Sequence, residues 1–325
     1  MATAMVMHEA GGPEVLRPET VTVGEPGAGQ ARLRQTAIGV NFHDIYVRSG
    51  LYQTLPLPGI PGLEAAGVVE AVGEGVSTFG PGDRVAYTSG NYGAYADQRL
   101  IDVSRLVHLP DDIDDVLVAG MMVRGLTARV LLTDVFPVAK GHTILVQAAA
   151  GGVGQLLCQW ARHLGATVIG TVGSQEKAER ARQHGCHHVI LYREQNVVDT
   201  VKQLTDGRGV DVAYDSVGKD TFYGSLDCLA PRGHLVNFGQ SSGPVEPLAM
   251  PRLAAGSFTV VRPMLGHYTA ETARRNVVAD AFFQALREGI LTPDAPVQYP
   301  MADVGRAHDD MEARRTHGAV VLIPS

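Results

Sequence analysis

Hydrophobic and polar positions fall into two textures along the chain. Over residues 1–120, short runs such as Ala66-Gly67-Val68-Val69-Glu70-Ala71-Val72 and Asp83-Arg84-Val85-Ala86-Tyr87 are broken up by dense Gly and Pro. Short strands separated by turns predict a β-rich barrel or sandwich. Past Asp111, the residues Val116, Leu117, Met121, Leu126, Val130 and Leu131 recur at helical spacing, which predicts a helix over 112–132 leading into a second domain. From Thr143 onward, strand-like and amphipathic segments alternate: strand 143–149, helix 154–164 with Leu156, Leu157, Trp160 and Leu164 on one face, and strand 166–172. The rhythm continues as helix 175–184, strand 187–192, helix 196–205, strand 210–215, helix 219–229 and strand 234–238, with a sixth strand at 258–261. Such alternation predicts an α/β, doubly wound parallel sheet. Helix 271–289 and a last strand at 319–323 read as a return to the first domain. The expected organisation is therefore a β-rich domain of residues 1–123, completed by 264–325, with an α/β domain of residues 124–263 inserted in it.

Composition narrows the partners. The 325 residues carry 27 Lys and Arg against 34 Asp and Glu, a net charge of −7, and the basic residues are not clustered. That argues against nucleic acid, whose phosphates require concentrated positive charge. Cys158, Cys186 and Cys228 are widely spaced with no CxxC, so neither a disulfide framework nor a cysteine-rich zinc site is expected, and a reducing, cytoplasmic setting fits. The N-terminus lacks a basic segment followed by an apolar run, and no stretch is expected to reach the roughly 18 apolar residues of a membrane span. A small molecule is the expected partner.

The segment from Leu145 to Gly154 runs from a buried strand through small residues into a helix. With Gly151, Gly152, Val153 and Gly154 at the turn, phosphate oxygens can approach backbone amides at a helix N-terminus. A dinucleotide is the expected ligand, and the inserted domain is expected to be of the Rossmann type. Ala149 stands where the first glycine of GxGxxG would be, which is tolerable if φ stays negative there. The next strand ends at Gly173-Ser174 without a carboxylate at its tip, and Lys177 follows. A hydroxyl and a cation suit a 2′-phosphate, so NADPH is expected over NADH. Ser174 also has the chemistry of a helix cap, and Glu176 remains able to reach a ribose.

These residues resemble a known family. Gly141-His142-Thr143-Ile144-Leu145, Ala149 through Gly154 and Gln159 through Arg162 are similar to the signature of the zeta-crystallin-like quinone oxidoreductases, within the medium-chain dehydrogenase/reductases. Asn41 through Tyr52, Asp215-Ser216-Val217-Gly218, Asn237-Phe238-Gly239 and Leu322-Ile323-Pro324 extend the likeness over nearly the whole chain. The resemblance implies a GroES-like first domain, substrate held between the two domains, a homodimer, and NADPH-dependent reduction of quinones. It also implies that Asn41 and Thr127 face the nicotinamide end and that Gly152 and Val153 face the pyrophosphate. Ser174, Lys177 and Tyr192 would surround the 2′-phosphate, Ser216, Phe238, Gly239 and Ser241 would line the remaining groove, and Arg314 would reach in from the returning segment. Two other functions are compatible with the likeness: an NADPH-dependent enone or alkenal reductase, and a structural or RNA-binding protein, which the lack of a basic stripe disfavours.

Zinc alcohol dehydrogenases of the same superfamily use a cysteine near position 41 and a Gly-His-Glu triplet; here Asn41 and Gly62-Leu63-Glu64 stand instead. Leu63 has no lone pair for a metal, and an electrophilic quinone or enone needs little Lewis-acid help, so zinc-free reduction is expected. His184, Cys186, His187 and His188 have donor spacing but straddle a helix end, where histidine has a structural use. Cys158 reads as a core residue, and Ser216 lacks the surroundings of a hydrolase nucleophile. Tyr46 and Tyr52 are candidates for binding a planar quinone or donating a proton to it, binding being the safer role. The sixth strand leaves an apolar edge that a second copy would cover, which independently predicts a homodimer.

Overall fold

The computed structural model describes residues 1–88, 91–316 and 318–325. By its internal contacts the chain divides into one unit of Met1–Val123, Ala270–Ala279 and Asp294–Ser325, and another of Arg124–Thr269 and Asp280–Pro293.

The first unit is built on strands. β1 (Ala2–Val6) and β2 (Arg17–Val21) form an antiparallel pair. β3 (Gln30–Val40) buries Ala31, Leu33, Gln35 and Ala37 at the period of two expected of a sheet with one inward face. A short helix, α1 (Phe42–Arg48), follows it. β4 (Glu64–Val72) pairs antiparallel with β3, and β5 (Arg84–Thr88) with β4; β6 (Gln98–Asp102) pairs with β3, and β7 (Leu106–His108) with β5. Leu33, Ile38, Val69, Tyr87, Tyr95 and Leu106 are among the buried residues at the centre of this unit.

α2 (Asp115–Val130) starts where the Asp114 carboxylate accepts the Leu117 amide at 2.9 Å, and it runs on into a π-helical turn, Leu131–Val135. Together, Asp115–Val135 make a helix of 21 residues whose most apolar stretch has a mean hydropathy of 1.6, long and apolar enough for a membrane span, contrary to the sequence expectation. Its apolarity serves the core, since 67% of its most apolar stretch is buried within the fold.

The second unit contains β8 (Thr143–Val146), α3 (Gly152–His163), β9 (Thr167–Val172), α4 (Gln175–Gln183), β10 (His188–Leu191), α5 (Val197–Leu204), β11 (Val210–Asp215), α6 (Phe222–Asp227), β12 (Leu229–Asn237), α7 (Pro251–Ala254), β13 (Thr259–Val261) and α8 (Leu265–Tyr268). Its sheet is parallel throughout, in the order β10-β9-β8-β11-β12-β13. That is the Rossmann winding, with the order reversing between β8 and β11, where such folds bind dinucleotides outside the carboxyl ends of the strands.

α9 (Thr272–Arg287), β14 (Val297–Pro300), α10 (Val304–Glu312) and β15 (Val320–Ile323) complete the chain, and β15 pairs with both β14 and β3. The return is less simple than a boundary at 264 implies: residues 264–269 and 280–293 belong to the second unit. Phe282 explains part of this, because its ring lies so close to Gly125 that a Cβ there would be 2.3 Å from it. Two other boundaries differ. α6 starts at Phe222 rather than near 219, because Asp215 holds the preceding amides in a turn. β12 starts at Leu229 rather than 234, with a register shift around Arg232 (φ 66°) that apolar periodicity does not reveal.

Candidate cofactor and substrate site

The turn after β8 is held by its own backbone. The Ala148 amide donates to Thr171 Oγ1 (3.3 Å), the Ala149 amide to Thr171 O (3.1 Å), and the Gly151 amide to Ala148 O (2.8 Å). The left-handed residue is Ala148 (φ 54°), not Ala149, so the fingerprint's missing glycine leaves the strain one residue earlier. A Cβ at Gly154 would sit 2.4 Å from Ala148 O, so glycine is what lets α3 close onto the turn. A Cβ at Gly152 would lie 2.8 Å from Nε of Arg124, whose side chain is buried. The first amides of α3, from Gly152 and Val153, have no carbonyl within the helix to donate to, and with the guanidinium beside them they favour an anion. In the first turn of α3, Gln155 is fully buried and its side-chain amide has no hydrogen-bond partner among the described residues. A polar ligand or bridging water is what such a group requires.

Sequence reasoning missed the network under this turn. Thr171 Oγ1 donates to Gln147 Oε1 (2.6 Å), Gln147 Nε2 to Ser225 Oγ (2.9 Å), and Ser225 Oγ to Asp215 Oδ2 (3.0 Å). Asp215, wholly buried, also accepts the amides of Val217 (2.8 Å) and Gly218 (3.0 Å) and the Thr221 hydroxyl (2.8 Å). Ends of β8, β9 and β11 are thereby locked together. The available signals were Gln147 interrupting an apolar strand and Asp215 closing another.

The sequence-predicted groove residues of this unit lie at the carboxyl ends of its strands. Ser216 O accepts the Ser241 amide (3.2 Å), and the Phe238 amide donates to Asp215 O (2.8 Å), which brings Ser216, Phe238, Gly239 and Ser241 to one place. Ser174 caps α4, accepting the Lys177 amide at 3.4 Å. Tyr192 is exposed, and its hydroxyl lies over Gly173, where a Cβ would be 2.6 Å from it. Ser174, Lys177 and Tyr192 thus share the tip of β9 and β10. Thr127 is half-buried on α2, one turn beyond Arg124.

In the first unit, Asn41 precedes α1, its amide donating to Asp44 Oδ2 (2.8 Å). Its side-chain Nδ2 donates to Glu64 Oε1 (2.7 Å), and Glu64 Oε2 accepts the Val123 amide (2.6 Å). The ring of Tyr46 meets Tyr52 edge-on at 5.3 Å, Tyr52 meets His43 at 5.3 Å, and His43 stacks on Tyr92 at 6.0 Å. His43 Nε2 and the Tyr92 hydroxyl are 2.9 Å apart, and burial lowers the His43 pKa, so the ring is neutral at neutral pH. His43 and Tyr92 extend the wall that Tyr46 and Tyr52 begin; their separation in sequence hides the pairing. Arg314 follows α10 on an exposed turn in the left-handed region (φ 58°).

The histidine cluster serves structure. His184 pairs with Gln159 Nε2 (2.7 Å), His187 Nδ1 accepts the Val168 amide (3.0 Å), and Cys186 Sγ packs against Cys158 Sγ (3.4 Å). Among the described residues, no group of three or more His, Cys, Asp or Glu side chains could hold a metal ion.

Two family models match the chain: an alcohol dehydrogenase GroES-like domain over residues 27–111 and a zinc-binding dehydrogenase over 152–280. The zinc in the second description does not fit the residues here, because Leu63 supplies no ligand and the Asn41 amide group faces a carboxylate. A quinone oxidoreductase of Pseudomonas aeruginosa is 47% identical over 328 residues, with 100% of both chains covered. A 2-haloacrylate reductase of a Burkholderia species is 44% identical over 331 residues, covering 100% of this chain and 99% of that one. The solved structure of Escherichia coli quinone oxidoreductase complexed with NADPH superposes with a TM-score of 0.95 at 41% identity, covering 99% of this chain and 100% of that one. The Rossmann sheet, the glycine turn and these full-length similarities place the chain in the zeta-crystallin-like quinone oxidoreductase family of the medium-chain dehydrogenase/reductases.

Proposed function

We propose that this chain reduces quinones with NADPH and without a metal. The observation that carries the cofactor is the convergence, on one end of a parallel sheet, of the glycine turn and the Ser174, Lys177 and Tyr192 group. Bound NADPH supplies the hydride. Backbone amides of Gly152 and Val153, with Arg124, hold the pyrophosphate; Ser216, Phe238, Gly239 and Ser241 line the groove; Thr127 and Asn41 face the nicotinamide end, and Arg314 reaches in from the returning segment. The neutral rings of His43, Tyr46, Tyr52 and Tyr92 suit a flat, uncharged acceptor better than a carboxylate. The test is NADPH consumption by chelator-treated protein against a panel of quinones and 2-haloacrylate. Quinone turnover that survives the chelator supports the reading; a chelator-sensitive activity restored by zinc, or a higher kcat/KM for 2-haloacrylate, overturns it.

Lys177→Ala is expected to weaken NADPH binding by about 1–3 kcal/mol, roughly 5- to 150-fold in Kd, as usual for a charge-assisted contact, and to leave NADH nearly unchanged. Titration of both cofactors by fluorescence checks this, and equal losses would remove the 2′-phosphate from Lys177. Tyr46→Phe and Tyr52→Phe are expected to raise KM for quinone with most of kcat retained, since water can protonate a reduced quinone oxygen. A fall in kcat of about 10²-fold with intact NADPH binding would make that tyrosine a general acid.

The chain forms a homodimer in this proposal, through the edge strand β13, which pairs with β12 on one side and has Val260 and Val261 only partly buried. Light scattering at micromolar concentration should give twice the chain mass; the monomer mass refutes it. A cytoplasmic location is supported by Cys158, Cys186 and Cys228, all free and buried.

A further inference from the structure

We propose that Glu64 is a positioning residue: it fixes the side-chain amide of Asn41 so that the carbonyl oxygen, rather than the amino group, is presented to the reacting end of the bound ligands. Glu64 is completely buried. Asn41 Nδ2 lies 2.7 Å from Glu64 Oε1 and donates to it, the direction an ionised carboxylate requires because it can only accept hydrogen bonds. Rotation of the carboxylate is stopped by its second bond, from the Val123 amide to Oε2 at 2.6 Å. The Asn41 backbone is anchored beside it, its amide donating to Asp44 Oδ2 (2.8 Å) and its carbonyl accepting the Asp44 amide (3.0 Å).

The surrounding fold leaves room for this arrangement and for little else. Glu64 on β4 is directly opposite Gly39 on β3. A Cβ at Gly39 would lie 2.6 Å from Glu64 Cγ and 2.1 Å from Ala119 O, so the carboxylate reaches Asn41 through space that only glycine vacates. A buried charge is costly unless fully hydrogen-bonded. Retaining it in a position that packing alone would fill with an apolar side chain therefore points to the direction it imposes on the Asn41 amide. Beyond its part in the capping box of α1, Asn41 Oδ1 has a second lone pair to accept an N–H or O–H of the cofactor or of the reduced substrate.

This inference rests on the proposed reading that Asn41 faces the nicotinamide end. Three variants test it: Glu64→Gln, Asn41→Asp and the two combined. Glu64→Gln offers Asn41 a donor, which turns the amide over. Asn41→Asp sets two carboxylates against each other. The double variant restores the pairing with polarity reversed: the glutamine oxygen still accepts the Val123 amide, its nitrogen donates to the new carboxylate, and an acceptor oxygen still faces the ligands. Each single change is expected to lower kcat/KM for the quinone about tenfold or more, and the double variant to recover at least tenfold over Asn41→Asp. NADPH binding and the thermal midpoint, measured alongside, report folding. Recovery supports the assignment, since a packing role gives no reason for two damaging changes to cancel. Folded variants without recovery overturn it. If Asn41→Asp does not fold alone, a double variant at or above Glu64→Gln supports the assignment and one below it overturns it. A wild-type protein that reduces no quinone contradicts the functional reading instead, a separate result.

Discussion

Asp215→Ala is expected to destabilise the second unit on the order of 5 kcal/mol. The carboxylate is fully buried and accepts from the Val217 and Gly218 amides and from the Thr221 and Ser225 hydroxyls. A bond to a charged group contributes about 1.5–3 kcal/mol, and a buried donor left without an acceptor costs about 1–3 kcal/mol, so four donors lost together approach the 5–15 kcal/mol stability of a typical domain even after allowing for non-additivity. The damage would spread, because Ser225 also accepts from Gln147, which in turn accepts from Thr171, and Thr171 anchors the Ala148 and Ala149 amides of the glycine turn. Trp160, the chain's only tryptophan, sits on α3 in the same unit and reports its unfolding. Urea titration followed by Trp160 fluorescence should show the loss. Asp215→Asn keeps one acceptor oxygen beside hydroxyls that can reorient, and should fall between the alanine variant and wild type. A shift under 1 kcal/mol for alanine would mean that water replaces the carboxylate and the network does not hold the turn.

What the sequence revealed of this arrangement depends on whether the controlling interaction is local. The Rossmann order was legible because each βα unit carries its own periodicity, and Gly154 was legible because the contact it permits, with Ala148, is six residues away. Ser174 and Lys177 are likewise adjacent on one turn. Glu64, Asn41 and Val123 were not legible as a set: they come from β4, the residue before α1, and α2, and nothing local marks a lone acidic residue at a strand start as a partner for an asparagine 23 positions earlier. His43 and Tyr92 are 49 positions apart, which hides the aromatic wall for the same reason. The strained residue shows a finer limit. Fingerprint alignment put the departure at Ala149, while the turn's own hydrogen bonds place the left-handed conformation at Ala148.

Acid should weaken the first unit through His308 well before most carboxylates titrate. His308 is fully buried on α10, with Nδ1 3.4 Å from Arg48 Nη1 and Nε2 2.9 Å from the Tyr95 hydroxyl. Arginine only donates, so Nδ1 accepts and the ring's proton sits on Nε2, donating to Tyr95, whose hydroxyl donates on to Asp44 Oδ2 (3.1 Å). A second proton on the ring has no acceptor among the described residues and faces the guanidinium that is paired with Glu312 at 2.9 Å. Burial first, and then the Arg48 charge, push the His308 pKa from 6.5 down to about 3. Because the folded value is the lower one, the unfolded chain binds the extra proton. The stability contributed by the neutral ring is complete above pH 6.5 and is lost as pH falls toward 3, by about 1.4 kcal/mol per unit. Burial also lowers the pKa of His43 in the same unit and of His187 and His234 in the second unit, so a difference measurement is needed. His308→Gln provides it, since its oxygen can accept from Arg48 and its nitrogen can donate to Tyr95 without titrating. Its stability should be close to wild type at pH 7.5, and relative to wild type it should gain roughly 2–3 kcal/mol by pH 4.5 in urea titrations. Parallel curves for the two proteins between those pH values would show that His308 takes up its proton without breaking the chain of bonds from Arg48 to Asp44.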